Sequence, residues 1–322
     1  MNSGKYLLLY ASNEIVLGES GAAIYCFERN LLVLIPVSLY WVIKELEETP
    51  LDQLRIELNE EVDIFDSYIG FLVKHEFVFT SDFPECFPKR SLEFEARETL
   101  VSATVRYSGK YDFKKLVKDL DECDCKHLRI YLSQELSTNF YVFNILELTR
   151  SSTLRTIDFV IHAGDQWDDH LIDRLSKAFP KLLSITICES PEYSCSNRSG
   201  ALLIRLTIGY LEFIRSRPIK NYVILDQRFF VECQRFNPFF NRKTFIDEDG
   251  GIRNGKDEEV SFGNIRTASL ADTVKLPEFQ KRWTDLPPQL LNSEFRYCIY
   301  NPDGEIDVST FQNCQNKWTL SF

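Results

Sequence analysis

The sequence predicts an α/β fold in three parts: a winged-helix-like α+β domain over residues 1–85, a partial (β/α) barrel or open parallel sheet over 86–232, and a segment of short strands and turns over 233–322. Three observations predict it. The first 80 residues read as strands followed by helices. From Ser102 to Leu225, corresponding strands recur about every 25–28 residues with helices between them. After Cys233 the helical periodicity gives way to turn signals.

In the first part, Lys5–Ala11, Ala22–Glu28 and Leu31–Ile35 are apolar enough for strands, the last two joined at Arg29–Asn30. Pro36 has no N–H for a ladder, so the third strand stops there. Leu39, Val42, Ile43 and Leu46 have helical spacing, giving a helix over Val37–Leu46. Thr49 is expected to cap a short helix that has Pro50 in its first turn and runs through Ile56. A third helix is expected over Asp63–His75, capped by Asp63, with two apolar stripes: Ile64, Tyr68 and Phe71, and Phe65, Ile69 and Leu72. A small domain's helix needs one stripe, so the second faces either a partner or a following domain. Phe77–Thr80 returns as a strand, and Ser81–Lys89, with two prolines, reads as a linker.

In the second part, strands are expected at Ser102–Tyr107, His127–Leu132, Thr156–His162, Leu183–Cys188 and Tyr222–Leu225. Helices are expected at Asp112–Leu120, Asn139–Arg150, Asp168–Phe179 and Leu202–Arg215. The strands lack the fixed Leu and Asn positions of a leucine-rich repeat, which favours the parallel sheet over a solenoid. In the third part, Asp247–Gly251 is a hairpin turn between Lys243–Ile246 and Ile252–Arg253, and a helix lies near Leu270–Trp283.

Composition narrows the function. Of 322 residues, 44% are hydrophobic and 26% charged, ordinary values for a globular chain. No apolar run reaches the roughly 20 residues of a membrane span, and no signal peptide is visible, so no membrane partner and a cytoplasmic location are expected. The nine cysteines include no CxxC, and Cys123 and Cys125 are too close for a usual zinc pair. The net charge is −11, and residues 1–85 hold five Lys and Arg against fifteen Asp and Glu, a local −10. Such a surface repels phosphate backbones, which counts against nucleic acid and against a DNA-reading winged helix, and attracts a basic peptide.

The order and size of the first part resemble the peptide-recognition domain fused to many enzymes that modify ribosomally made peptides, of the type found in the PQQ-biosynthesis peptide chaperone (PqqD-like). That resemblance implies that a leader peptide adds as a strand beside Leu31, Leu32, Val33, Leu34 and Ile35, in a groove lined by the third helix through Ile64, Tyr68, Phe71 and Leu72. Because Leu31–Ile35 is an unbroken apolar run, the sequence does not say which side chains face such a peptide.

Residues 241–266, NRKTFIDEDGGIRNGKDEEVSFGNIR, resemble the SPASM segment of peptide-modifying radical SAM enzymes, and more narrowly the maturase-like member of grasp-with-spasm systems. Leu270–Trp283 and Glu294–Cys298 continue the likeness in order, over about 60 residues. The departures carry more weight. Gly255, Leu291 or Asn292, and Ser293 stand where that family has cysteine ligands, leaving Cys298 alone. The loop Ser108–Asp112 lacks the CxxxCxxC of the radical SAM cluster, and Ser133–Ser137 stands in place of the loop that holds the cofactor's methionine moiety. Iron–sulfur clusters need thiolates, usually four, so no cluster, no cofactor and no radical catalysis are expected. The resemblance implies a degenerate partial (β/α) barrel of radical-SAM type followed by a degenerate SPASM-like end, and it implies partners: a precursor peptide with a basic leader and an ATP-grasp ligase.

One other cluster could carry chemistry. His162, Asp165, Asp169 and His170 sit between a strand end and a helix start, where α/β proteins place active sites, and could hold a metal. The plainer reading makes Asp168 a helix cap and Asp165 a turn residue, with no metal bound. The expectation is therefore an accessory peptide-binding protein with no catalytic residue. The alternatives are a metal-dependent peptide-modifying enzyme on the His/Asp cluster, or a scaffold that binds another protein.

Overall fold

Edge strands, hairpin turns and one buried carboxylate decide how this chain's elements assemble. The computed structural model describes residues 4–19, 21–164, 167–215 and 222–300. Along the chain come strands β1 (Tyr6–Leu9), β2 (Asn13–Leu17), β3 (Ala22–Cys26) and β4 (Leu31–Ile35), helices α1 (Val37–Leu46), α2 (Leu51–Glu57) and α3 (Val62–Lys74), and strand β5 (Val78–Ser81). Then follow β6 (Ser102–Tyr107), α4 (Phe113–Glu122), β7 (His127–Leu132), α5 (Asn139–Leu148), β8 (Thr156–His162), α6 (Asp169–Ala178) and β9 (Leu182–Cys188). The remainder holds β10 (Ser194–Arg198), β11 (Ala201–Arg205), α7 (Tyr210–Arg215), β12 (Tyr222–Val223), α8 (Gln227–Cys233), β13 (Lys243–Ile246), β14 (Gly251–Arg253), β15 (Gly263–Asn264), α9 (Leu270–Thr273), α10 (Pro277–Gln280) and β16 (Ile299–Tyr300). Among the described residues no helix is long and apolar enough to cross a membrane.

The chain divides into two compact units, each discontinuous in sequence. One comprises Met1–Phe94, Ile219–Pro238 and Leu286–Phe322; the other comprises Glu95–Pro218 and Phe239–Asp285. This division differs from the expected segments 1–85, 86–232 and 233–322. The stretches 219–238 and 286–322 group with the N-terminal residues, and 239–285 groups with the β/α section.

In the first unit, β2, β3 and β4 form an antiparallel sheet in that order, and β1 pairs with β5. Both faces of the sheet are covered. On one face Ala22, Ile24, Cys26, Val33 and Ile35 pack with Leu39 and Ile43 of α1 and Phe65, Tyr68, Phe71 and Leu72 of α3. On the other, Val16, Ala23 and Tyr25 pack with Phe230 and Val231 of α8 and with Leu290, Cys298 and Ile299, while Leu32 and Leu34 are half-buried there. Tyr25 donates its hydroxyl to Glu294 O (2.6 Å), and Arg296 donates to Leu17 O (2.8 Å), which fastens the late segment to the early sheet.

Several expectations for this unit change. Strand β2 was not expected. Its polar Asn13 breaks the apolar pattern, yet Asn13 is buried and donates to Phe77 O (2.9 Å). Thr49 and Asp63 do not cap their helices. Pro50 and Glu61 hold the cap positions without a side-chain bond, and Asp63 lies in the first turn of α3, where a carboxylate favours the helix dipole. The two stripes of α3 are one broad arc at 100° per residue, with Tyr68 and Leu72 between the flanking positions. Its middle is core, while Ile64 in the first turn is 48% exposed.

In the second unit, nine strands make one mixed sheet in the order β10-β11-β9-β8-β7-β6-β13-β14-β15. From β11 to β13 neighbouring strands are parallel, and each outer hairpin adds antiparallel strands. Among the described residues the sheet ends in two edge strands, β10 and β15, and is open. Because β6, β7, β8 and β9 add in one direction, right-handed crossovers put α4, α5 and α6 on one face. Leu128, Ile130 and Leu132 of β7 are buried on that side, while His127, Arg129 and Tyr131 point to the opposite face.

The expected helix Leu202–Arg215 is β11 plus the short α7. Ser199 and Gly200 both have positive φ (52° and 105°), as a two-residue hairpin turn between β10 and β11 requires. The expected helix Leu270–Trp283 is broken by Pro277, which starts α10 because it has no N–H to give a helix interior. The expected strand Tyr222–Leu225 shortens to β12 and pairs with β16, outside the nine-stranded sheet. Buried Asp119 of α4 accepts from Lys115 Nζ (2.8 Å) and from Leu270 N (3.3 Å), which anchors α9 to the β/α section. The 247–251 turn forms as expected, with Asp247 accepting from Gly251 N (2.7 Å) and Arg253 Nε (3.0 Å).

Candidate functional site

Backbone direction along β3 identifies which groups of β4 are unpaired. Phe27 N donates to Ser12 O (3.0 Å) and Gly18 N to Gly21 O (2.8 Å), so odd-numbered residues of β3 bond toward β2. Even-numbered residues therefore bond toward β4. With the register Ala22↔Ile35, Ile24↔Val33 and Cys26↔Leu31, residues 31, 33 and 35 face β3 and the amides and carbonyls of Leu32 and Leu34 face outward. Among the described residues β4 pairs with β3 alone. The opposite edge differs: along β2, Leu17 O accepts from Arg296, and Asn13 N donates to Tyr10 O (2.8 Å).

Helix α3 flanks β4 and is tied at both ends of it. Near the strand's end, Ser38 Oγ and Tyr68 Oη are 2.6 Å apart. Near its start, Arg29 donates to His75 O (2.7 Å) and lies over the Phe77 ring, 4.8 Å from its centroid. Asn30, with φ of 50°, makes the tight β3–β4 turn that aims Arg29 there. The exposed Val37 and Trp41 of α1 begin two residues beyond β4. Of the residues expected to bind a peptide, Val33, Ile35, Tyr68, Phe71 and Leu72 have buried side chains, Leu31, Leu32 and Leu34 are half-buried, and Ile64 is exposed. What β4 offers is chiefly its backbone. Arg29 and Ser38 carried no sequence signal beyond their positions at the two ends of the strand.

Electrostatics here follow from charge density. Arg55 pairs bidentately with Asp66 of α3 (2.8 and 2.6 Å) and holds that carboxyl below its ordinary range. Burial raises the Glu14 carboxyl, with Lys89 and Lys44 opposing. Burial, then Lys74 and Arg29, lowers the His75 imidazole.

The His/Asp cluster does not assemble as a metal site among the described residues. Asp169 accepts from Arg205 (2.9 Å) and Arg198, and Asp168 caps α6 by accepting from Leu171 N (2.7 Å). His170 is exposed, and Asp165 lies outside the described residues. His162 Nδ1 instead meets Glu189 Oε2 at 3.2 Å, and its ring stacks on Tyr210 at 3.9 Å. Glu189 follows β9 and Tyr210 begins α7, so nothing near His162 in sequence announced them.

At the positions where the likeness would place cluster ligands, Gly255 packs beside the Phe240 ring in one unit, and Leu291, Asn292 and Ser293 belong to the other. Cys298 is fully buried, with its thiol donating to Phe295 O (3.3 Å). Burial pushes the Cys123 and Cys125 thiols up to about 12, far from thiolate character. Cys314 lies outside the described residues. In the loop after β6, Ser108 donates to Glu248 O (3.0 Å), Lys110 pairs with Asp249 (2.7 Å) and Asp112 caps α4. In the loop after β7, Ser137 bonds back to Ser133 O (2.9 Å).

No protein-family model matches this chain, and no curated protein does. Among solved structures it is similar to three of SuiB from Streptococcus suis. The form bound to S-adenosylmethionine gives a TM-score of 0.36 at 10% identity, covering 91% of this chain and 94% of that one. The form bound to precursor peptide SuiA gives 0.35 at 9%, with the same coverage, and SuiB itself gives 0.32 at 10%, covering 90% and 94%. Scores this low carry no argument about function.

Proposed function

We propose that this chain is an accessory protein that binds a basic, extended peptide by strand addition at β4 and presents it for modification by another protein. One observation supports this most: β4 is an apolar edge strand whose Leu32 and Leu34 backbone groups face outward. Such an edge is a ready template for a further strand, and natural proteins usually blunt it with charge or proline. Here no charged residue interrupts β4, and Pro36 comes only after it. Backbone bonds supply affinity in this mode, and neighbouring side chains select register. The local −10 over residues 1–85 favours a basic partner. The resemblance of residues 241–298 to grasp-with-spasm maturase-like proteins supports a leader peptide as ligand and an ATP-grasp ligase as second partner. The missing cysteines support a binding role over radical catalysis.

The test is titration of the full chain with basic leader peptides at low salt, comparing wild type with Leu34→Pro and Val33→Pro. Proline at Leu34 removes an outward N–H and spares the β3 ladder; at Val33 it breaks that ladder. Binding that is lost in folded Leu34→Pro supports strand addition. Wild-type binding unchanged by Leu34→Pro overturns it, and a ligase that binds the chain equally well without any peptide favours a pure scaffold.

A further inference from the structure

The face of the nine-stranded sheet opposite α4, α5 and α6 carries a cation without an ion-pair partner among the described residues. Arg106 on β6 points to this face, beside Tyr131 of β7 in register and 5.4 Å above the Phe245 ring. Among the described residues it has no ion-pair partner, and its Nε is sealed from solvent without an acceptor. The neighbouring Arg129 differs, lying 3.7 Å from Asp158. A buried donor on a charged group is costly to leave unmade, so such an atom calls for an explanation.

The surroundings supply one. Helix α7 lies over the same face, and its Tyr210 and Ile214 pack with Val160, Cys188 and Tyr131. Tyr210 stacks on His162, whose Nδ1 faces Glu189, and Glu189 also accepts from Tyr210 N (3.2 Å), so the two rings are held in place. Tyr131, the register partner of Arg106, packs against the Tyr210 cluster, so the guanidinium and the two phenols share one patch of the sheet. Burial raises the Tyr210 phenol, and Arg106 is the strongest opposing influence. A guanidinium with two phenols close by offers forked N–H donors and O–H donors together, a set that suits a planar, singly charged oxyanion. Glu189 and Glu248 keep the region from being strongly positive, which disfavours a doubly charged phosphate.

We infer that this face of the second unit is a carboxylate-binding site, with Arg106 as the principal donor and the Tyr131 and Tyr210 hydroxyls as accessory donors. The ligand is either a small free carboxylate or a Glu or Asp side chain of a peptide. This inference does not depend on peptide binding at β4.

Calorimetric titration of the full chain with glutarate, with a capped Ala-Glu-Ala peptide, with its Ala-Gln-Ala amide counterpart and with inorganic phosphate tests it. Either carboxylate is expected to bind, the tighter one identifying the source, and the amide peptide and phosphate are expected to bind at least about tenfold more weakly. Arg106→Gln should weaken carboxylate binding on the order of tenfold or more, the loss of one charge-assisted bond. Tyr210→Phe, which keeps the packed ring, should weaken it by a smaller factor and serves if Arg106→Gln does not fold. Three results would overturn the inference: no carboxylate binding up to tens of millimolar, carboxylate and amide peptides binding alike, or full affinity retained by the folded variants.

Discussion

Asp247 shows how one carboxylate fixes a local fold. Its Oδ1 accepts from Gly251 N and Asp249 N (2.7 and 3.0 Å), and its Oδ2 from Arg253. Asp247→Ala should destabilise the protein by about 1–3 kcal/mol in urea unfolding, because backbone donors lose their acceptor. Asp249→Ala, which removes only an exposed pair with Lys110, should leave stability nearly unchanged. His127 sets a pH effect. Partial desolvation first, then Arg155, lowers its imidazole from the ordinary 6.5, with Asp158 and Glu98 opposing, although the side chain stays largely exposed. Near that value the unfolded chain binds protons that the folded chain refuses, so stability should fall as pH drops from about 7 toward 5. His127→Gln should flatten that slope in urea titrations at stepped pH. Residue roles were legible only where they act locally. Asp168 reads as a cap from its own neighbours, whereas Glu189 meets His162 across 27 positions and leaves no local mark.

At the scale of elements, β4 predicts an exchange pattern. Amides of Leu32 and Leu34 should exchange with solvent fast while those of Leu31, Val33 and Ile35 are protected, and a bound basic peptide should slow the first two. Hydrogen exchange read by NMR with and without peptide distinguishes this from a peptide that docks elsewhere. Strands β6, β7 and β8 were legible to the residue because apolar residues concentrate within them, alternating with polar ones in β6 and β7, and polar or turn residues bound them. The 202–215 stretch was not, because Leu202, Leu203 and Ile204 are compatible with either period. The positive φ of Ser199 and Gly200 settles the start of that stretch as one arm of a hairpin. Strand β2 was hidden because Asn13, its first residue, points inward to Phe77 O, and a buried amide with a partner cannot be told from an exposed one by type.

For the whole molecule, the discontinuous first unit has a direct consequence. Without residues 219–238 and 286–300, Ala23 and Tyr25 lose Phe230, Leu290 and Cys298, and Leu32 and Leu34 lose their neighbours. A chain ending at Phe94 should therefore be poorly folded or aggregate, where the expected 1–85 domain would be an independent module. Solubility and circular dichroism of that fragment check it, and a well-folded fragment would count against the shared core. The sequence could not show this, since pairing of Tyr25 with Glu294 spans 269 positions.

That shared core also bears on the order in which a ribosome delivers the parts. The strand Leu31–Ile35 emerges early, but the cover for its second face arrives only with residues 222–300. At about 5–20 residues per second, the gap is on the order of 10–50 s. During that interval the nascent chain carries an apolar edge and an apolar face at once, a period in which a chaperone, or the basic peptide itself, would have the most to shield.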